Sequence, residues 1–258
     1  MNIDYFVIPY HAKDVKTLGM SCDTINALFN PKRIYAIGSK SFSTVHSNVE
    51  LIREQDIKEV ISVIEICKIW QKNYQEYRQR GGWLYQQLIK MLAYRFFPEI
   101  EDRYMICDAD IIWTNNPYKA APNDCQPLSK SFIKDCWMPD AIDQYKRFMG
   151  EEIVINNSFI NHHMIIKKNV MEEIINNIEK KYGCRYDHAL INSYNFKTAV
   201  GFSEYETYAN YYIKTRKRYF DVPLKVKKLK GIPNVKEVER YVKEGYWDFL
   251  DCQHYNRK

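Results

Sequence analysis

The sequence predicts an α/β protein with a central, mostly parallel mixed sheet flanked by helices. Two observations carry that prediction. The chain opens with a strand, a helix and a second strand, a spacing that needs a crossover rather than a hairpin and so pairs the strands in parallel. Further on, the apolar run Tyr104-Met105-Ile106-Cys107 reads as a buried strand that stops at two aspartates, Asp108 and Asp110. At 258 residues one domain spanning 1–258 is expected, because single hydrophobic cores stop growing near roughly 250–300 residues.

The elements follow in order. Asp4 to Pro9, "DYFVIP", is β-branched and aromatic and is stopped by proline, so it reads as the first strand. A helix is expected over Val15 to Leu28, ended by Asn30-Pro31, and a second strand over Arg33 to Gly38. From Glu54 the apolar residues Ile57, Val60, Ile61, Ile64 and Cys67 recur at helical spacing, and the helix is extended to Tyr77. Gly81-Gly82 reads as punctuation before another helix, on which Leu84, Leu88, Met91 and Leu92 share one face while Gln87, Lys90 and Tyr94 share the other.

After the Tyr104 strand, the stretch from Asn115 to Pro139 is rich in turn residues and suggests a long excursion that carries binding groups. Two strands are expected at Ile153 to Ile155 and Phe159 to Ile166, the second holding Asn161-His162-His163. Helices are expected near 169–181 and 186–194, and another from Ser203, where Ser203 and Glu206 have capping-box spacing. A strand at Leu224 to Leu229 and a helix at Val235 to Lys243 precede the tail.

Composition excludes wholesale disorder: 46% of residues are hydrophobic and 15% aromatic. The excess of 38 basic over 32 acidic residues is mild and favours anionic ligands without choosing among them. The densest basic runs, Lys214 to Arg218 and Lys225 to Lys230, read as a solvated face or a surface meeting phosphates or an anionic membrane rather than a nucleic-acid patch. Seven cysteines lie without C-x-x-C pairs, which points away from a disulfide framework or structural zinc and toward a reducing, cytoplasmic setting. No span is apolar enough for a signal peptide or a membrane helix, so no transmembrane segment is expected, although peripheral membrane contact is compatible with the charge.

Chemistry concentrates at "CDADIIW". Residues i and i+2 of an extended segment project to one side, so Asp108 and Asp110 converge. Two partly buried carboxylates repel and resist desolvation unless a cation lies between them, and hard oxygen ligands select Mg²⁺ or Mn²⁺. The alternative is that the strand ends at Cys107 and the acids begin a solvated turn. Their place after an apolar strand in an α/β chain favours a site, because ligands in such sheets bind at the carboxyl ends of strands.

In this respect the sequence resembles the nucleotide-sugar-dependent glycosyltransferases of the GT-A (Rossmann-like) fold, whose D-x-D motif holds a divalent cation against the donor diphosphate. It is similar to a small GT-A-like family of bacteria and large DNA viruses that joins "VIPYHAKD", "GGWLYQQLIKM", "CDADIIW", "NHHMI" and "FSEYETYANYY" in that order. The resemblance spans Val7 to Tyr212 and implies a nucleotide-binding half at 1–114 and an acceptor-side half at 115–258. It implies a nucleotide-sugar donor, UDP-linked more readily than GDP-linked, and a glycan or glycoconjugate acceptor, with no nucleic acid as partner.

Residue by residue, the resemblance sets Pro9, Tyr10 and His11 beside base and ribose, with Tyr10 stacking on the base or else covering the sheet edge. Trp83, Gln87 and Lys90 match the helix flanking the donor, Lys90 meeting a pyrophosphate oxygen at a helix start near Gly81. Asp108 and Asp110 match the metal and diphosphate site, Ala109 leaves room for the ribose, and His254 is the tail residue placed to complete the metal shell. His162 and His163 fall at a donor-sugar or acceptor site, and their alternation lets one of them face the cleft. Glu204, with Glu206 second, matches the general base of inverting members. A sugar nucleotidyltransferase and a non-catalytic carbohydrate-binding module remain as alternatives, although the first lacks its glycine-rich basic loop in "PYHAKDVKTLG".

Overall fold

A computed structural model describes residues 1–39, 42–130, 139–154, 157–195 and 201–252. Strand β1 (Tyr5–Pro9) leads through a short 3₁₀ turn into helix α1 (Val15–Phe29), then β2 (Arg33–Gly38) and β3 (Val49–Arg53). Helices α2 (Val63–Ile69) and α3 (Tyr74–Phe96) precede β4 (Arg103–Cys107), β5 (Ile111–Trp113), β6 (Pro127–Leu128) and α4 (Pro139–Met149). The rest comprises β7 (His163–Lys167), α5 (Lys168–Tyr182), α6 (Tyr186–Ser193), α7 (Glu204–Arg216), β8 (Phe220–Asp221), β9 (Val226–Lys228), α8 (Val235–Glu244) and β10 (Phe249–Asp251).

The main sheet has the order β3-β2-β1-β4-β7, with β7 alone antiparallel. It is the mostly parallel mixed sheet that the opening pattern implies. Alternating residues feed two cores, as expected for strands covered on both faces. Val7, Tyr35, Ile37, Tyr104 and Ile106 enter one core with helices α3, α5, α6 and α7. Phe6, Ile8, Ile34, Ala36, Met105 and Cys107 enter the other with α1 and β5.

Chain direction positions the site. From β1 the sheet grows outward through β2 and β3, and the chain then returns to add β4 on β1's opposite edge. The reversal of strand order between β2 and β4 puts a switch point at the carboxyl ends of β1 and β4, the place where doubly wound sheets take ligands. Tyr10 follows β1 at that end of the sheet and Asp108 follows β4. Because β7 runs antiparallel to β4, with His163 opposite Cys107, the residue before β7 also arrives there.

Several expectations are corrected. The helix drawn from Glu54 to Tyr77 is broken: residues 54–56 form a 3₁₀ turn, and Gln71 takes a left-handed φ of 54° between α2 and α3. Gly81-Gly82 does not interrupt the chain but lies inside α3. A Cβ on Gly81 would stand 3.1 Å from Val63 Cγ1, so this glycine lets α2 approach α3 closely. Strands β3 and β10 arise where none was expected, whereas Ile153 and Val154 are not in a strand, and Ile155 lies outside the described residues. The strand expected from Phe159 begins only at His163, and Asp108-Ala109-Asp110 forms a turn after β4 rather than an extended segment. The six described cysteines are unpaired, and no described helix is long and apolar enough to cross a membrane.

Candidate active site

Asp108 is the centre of a buried polar cluster. Lys90 reaches it from α3: its ammonium donates to Asp108 Oδ1 at 2.5 Å, to Glu204 Oε1 at 2.8 Å and to the Tyr205 hydroxyl at 3.1 Å. Tyr205 also donates to Asp108 Oδ1 at 3.3 Å. On the far side His162 Nδ1 lies 3.0 Å from Asp108 Oδ2, and the His162 carbonyl accepts the Asp108 N–H at 2.7 Å. His162 holds a left-handed φ of 61°, an uncommon conformation for a residue with a Cβ and one that concentrates at functional sites. That turn directs both its ring and its carbonyl to Asp108.

These contacts set the charges. Burial alone would raise the Asp108 pKa, but the Lys90 ammonium and then His162 overcome it and hold the carboxyl far below the usual range. For Lys90, burial favours the neutral amine, yet the charges of Asp108 and Glu204 outweigh that and keep the ammonium. Burial likewise works against a charged His162 ring, and the Asp108 contact, with Asp110 and Asp251 behind it, raises its pKa. Glu204 is raised, first by burial and then by Asp108, with Lys90 opposing.

Asp110 differs from its neighbour in every respect. Its Oδ1 is buried and has no hydrogen-bond partner. Burial, followed by the charges of Asp108, Asp14 and Asp251, pushes its pKa up to about 7 against the pull of His162. A cation would relieve both faults by accepting the orphaned oxygen as a ligand and offsetting the facing charge. Among the described residues no three His, Cys, Asp or Glu side chains form a complete metal shell. Asp108 and Asp110 alone could supply only part of a hard cation's oxygen shell, the rest of which would have to come from water or a ligand. His254, the third ligand expected from the tail, lies outside the described residues.

Other expected site residues are placed differently. Lys90 is buried within the cluster and orients Asp108, a task unlike the open phosphate contact expected of it. Since α3 runs through Gly81, no helix start stands near Trp83; Trp83 is half-buried against Tyr194, and Gln87 donates to the Trp83 carbonyl at 3.2 Å. Glu204 and Glu206 are each 2% exposed, so neither carboxylate offers the open surface that a base for an acceptor hydroxyl needs. Glu206 accepts from Ser158 Oγ at 2.7 Å and the Phe159 N–H at 2.9 Å and so anchors the segment leading to His162. Ser203 caps α7 by accepting the Glu206 N–H, but the Glu206 carboxylate does not return the bond.

His163 faces the opposite way from His162. Its Nδ1 donates to the Asn161 carbonyl at 2.9 Å, which makes Nε2 the acceptor of the Tyr118 hydroxyl at 2.5 Å. Trp113 and Phe249 close over the ring, and burial lowers its pKa to about 3. Tyr10 is buried with its ring over Gly38, where a Cβ would stand 2.6 Å from Tyr10 Cζ; it covers the sheet end. Pro9 closes β1 opposite Ile37, Ala109 is buried in the second core, and exposed His11 caps the 3₁₀ turn ending at Asp14. Tyr205, Asp14 and Asp251 escaped the sequence reading, although the first two lie within the segments "FSEYETYANYY" and "VIPYHAKD".

His163 supports a stability prediction. A neutral buried histidine whose folded pKa lies below its unfolded value stabilises fully above the unfolded pKa, near 6.5, and progressively less as pH falls toward 3. Lowering the pH from 7 to 5 is expected to remove about 2 kcal/mol through this group. Urea unfolding of wild type and His163→Gln at both pH values checks it: the variant should lose that much less than wild type over the same interval. Equal losses would count against the assignment.

No protein-family model matches the chain, and no curated protein matches it. Among solved structures it is similar to mouse xyloside xylosyltransferase 1 in its apo form, with a TM-score of 0.49 and 6% identity over 100% of each chain.

Proposed function

We propose that the chain is a metal-dependent glycosyltransferase that moves a sugar from a nucleotide-diphosphate donor, UDP-linked by preference, to a hydroxyl of a glycan or glycoconjugate. One observation carries the reading: two aspartates emerge from β4 at the switch point, one locked by Lys90 and His162, the other with a buried oxygen that nothing in the described protein satisfies. Locked and unsatisfied carboxylates at one strand end suit a cation bound together with a diphosphate.

In this reading the acceptor hydroxyl oxygen forms a bond to the anomeric carbon as the bond from that carbon to the diphosphate oxygen breaks; the electron pair of that bond leaves with the nucleoside diphosphate, and the hydroxyl proton passes to the departing diphosphate or to water. A divalent cation held by Asp108 and Asp110 would supply positive charge beside the leaving group. Lys90 keeps Asp108 ionised and, with Tyr205, orients it; Glu204 holds the Lys90 ammonium, and His162 fixes the second oxygen of Asp108. His162 also presents a ring at the cleft that carries a proton more readily than a free histidine.

The test is a thermal-shift and product assay with UDP-sugars. Donor with Mn²⁺ should raise the melting temperature by more than either alone, because a ligand that binds only the folded state stabilises it. Donor turnover should release nucleoside diphosphate and stop in chelator. Release of pyrophosphate would instead mark a nucleotidyltransferase, and glycan binding without a donor effect would mark a binding module. Full turnover in chelator would sink the metal-dependent reading.

A further inference from the structure

The basic run ending α7 is not used by the site above, and it lines a separate cavity. Helix α7 starts at Glu204 beside Lys90 and ends at Arg216, one helix length away from the aspartates. There, at the end of the sheet opposite Asp108, a cavity of about 300 Å³ is bounded by Lys167, Arg216, Arg218 and Tyr212, with Asp124 as its one acidic wall. Three cations against one carboxylate leave the lining with a positive excess.

The neighbouring contacts sharpen this. Arg103, the first residue of β4, lies directly across from Lys167 in the antiparallel pair, so the two side chains share a face. Its Nε and Nη2 are held by Asp102 and the Asn123 carbonyl, but Nη1 is buried without a partner. Among the described residues the Lys167 ammonium has no acceptor. Arg218 meets Asp124 only at 3.5 Å with both side chains largely exposed, a weak pair that an incoming anion can replace. Arg216 pairs with Glu173, which is not part of the lining. Guanidinium groups are suited to bidentate phosphate recognition.

We propose that this cavity is a second ligand site that binds a phosphate-bearing anion, either a free phosphorylated molecule or a lipid headgroup. It stands independently of the function proposed for Asp108 and Asp110.

Inorganic pyrophosphate is titrated by calorimetry in chelator, which silences any metal-dependent binding at the strand ends, with sodium chloride matched for ionic strength. In parallel, vesicles of phosphatidylcholine with and without phosphatidic acid are tested by co-sedimentation. Wild type and Asp110→Asn should bind one probe saturably, and Lys167→Gln/Arg218→Gln, both substitutions outside the core, should bind roughly ten-fold or more weakly. Pyrophosphate binding identifies a free ligand as the source; binding only to phosphatidic acid vesicles identifies a headgroup. Binding equal in the double variant, loss of binding in Asp110→Asn, or no binding of either probe would overturn the proposal.

Discussion

Asp108→Asn and Asp110→Asn are expected to shift stability in opposite directions while each lowers the proposed transfer rate by about 10²–10³-fold, the order seen when a key electrostatic contact to developing charge is lost. The opposition follows from their surroundings. Asp108 accepts bonds from Lys90, Tyr205 and His162, so neutralising it leaves the buried ammonium with Glu204 as its one counter-charge, takes the acceptor charge from His162, and lowers stability. Asp110 has an unsatisfied buried oxygen and a pKa raised to about 7 by burial and by Asp108. A carboxyl whose folded pKa is raised contributes stability that is present below the unfolded pKa and is lost as pH rises through the folded one. At pH 8 the wild type therefore carries a destabilising charge that asparagine lacks, and Asp110→Asn should melt several degrees higher there. At pH 5 that advantage should shrink to less than half, and it should vanish only below the unfolded pKa, at about pH 4. Melting curves of both variants at pH 5 and 8, in chelator, decide the matter; a lower melting temperature for Asp110→Asn at pH 8 would defeat the claim that this carboxylate is kept for function at a cost to the fold.

The sequence made the first half of the fold legible because its strands are short apolar runs with hard stops. Pro9 ends β1 and Gly38 ends β2, and α1 ends at Asn30 in the left-handed conformation that asparagine tolerates. Elements stabilised by distant partners were harder to read. Strand β10 holds three residues and exists because β5 and β9 pair on its two sides, and β3 is a half-exposed edge without a continuous apolar run. Gly81-Gly82 misleads for a related reason: local propensity marks a break, whereas the missing Cβ of Gly81 answers to Val63 on another helix.

The same division runs through the site. Asp108 and Asp110 were legible because a carboxylate pair after an apolar strand is costly without a purpose. The partnership of Lys90 with Glu204 joins residues 114 positions apart, and no periodicity links them. Glu206 has capping-box spacing to Ser203, yet its carboxylate goes to Ser158 and Phe159, a tertiary competitor that the local motif cannot reveal. Alternation along a strand was the reason to expect His162 and His163 to point apart, but His162 lies before β7 in a left-handed turn, so the strand pattern does not account for their directions.

Lys90→Met should be the most destabilising single change in the cluster. Lys90 is the one cation shared by Asp108 and Glu204, at 2.5 and 2.8 Å, and its ammonium is enclosed by them and Tyr205. Methionine fills similar volume, so packing changes little, but buried Glu204 and part-buried Asp108 lose the counter-charge they share. Removing one partner of a buried ion pair costs about 3–5 kcal/mol, roughly 10 °C or more in melting temperature for a chain of this size. The loss should shrink at acid pH, where protonation of Glu204, already raised by burial, removes one stranded charge. A double variant tests the network reading: Lys90→Met/Glu204→Gln should recover a substantial part of the lost stability at neutral pH, since the second substitution removes the uncompensated charge that the first creates. It should recover no activity, because Asp108 would still lack the contact that orients it. If the two substitutions prove additive in urea unfolding, Lys90 and Glu204 act separately and the buried cluster is no unit. If the double variant regains turnover, Lys90 served only to balance Glu204, and the orientation of Asp108 rests on His162 and Tyr205.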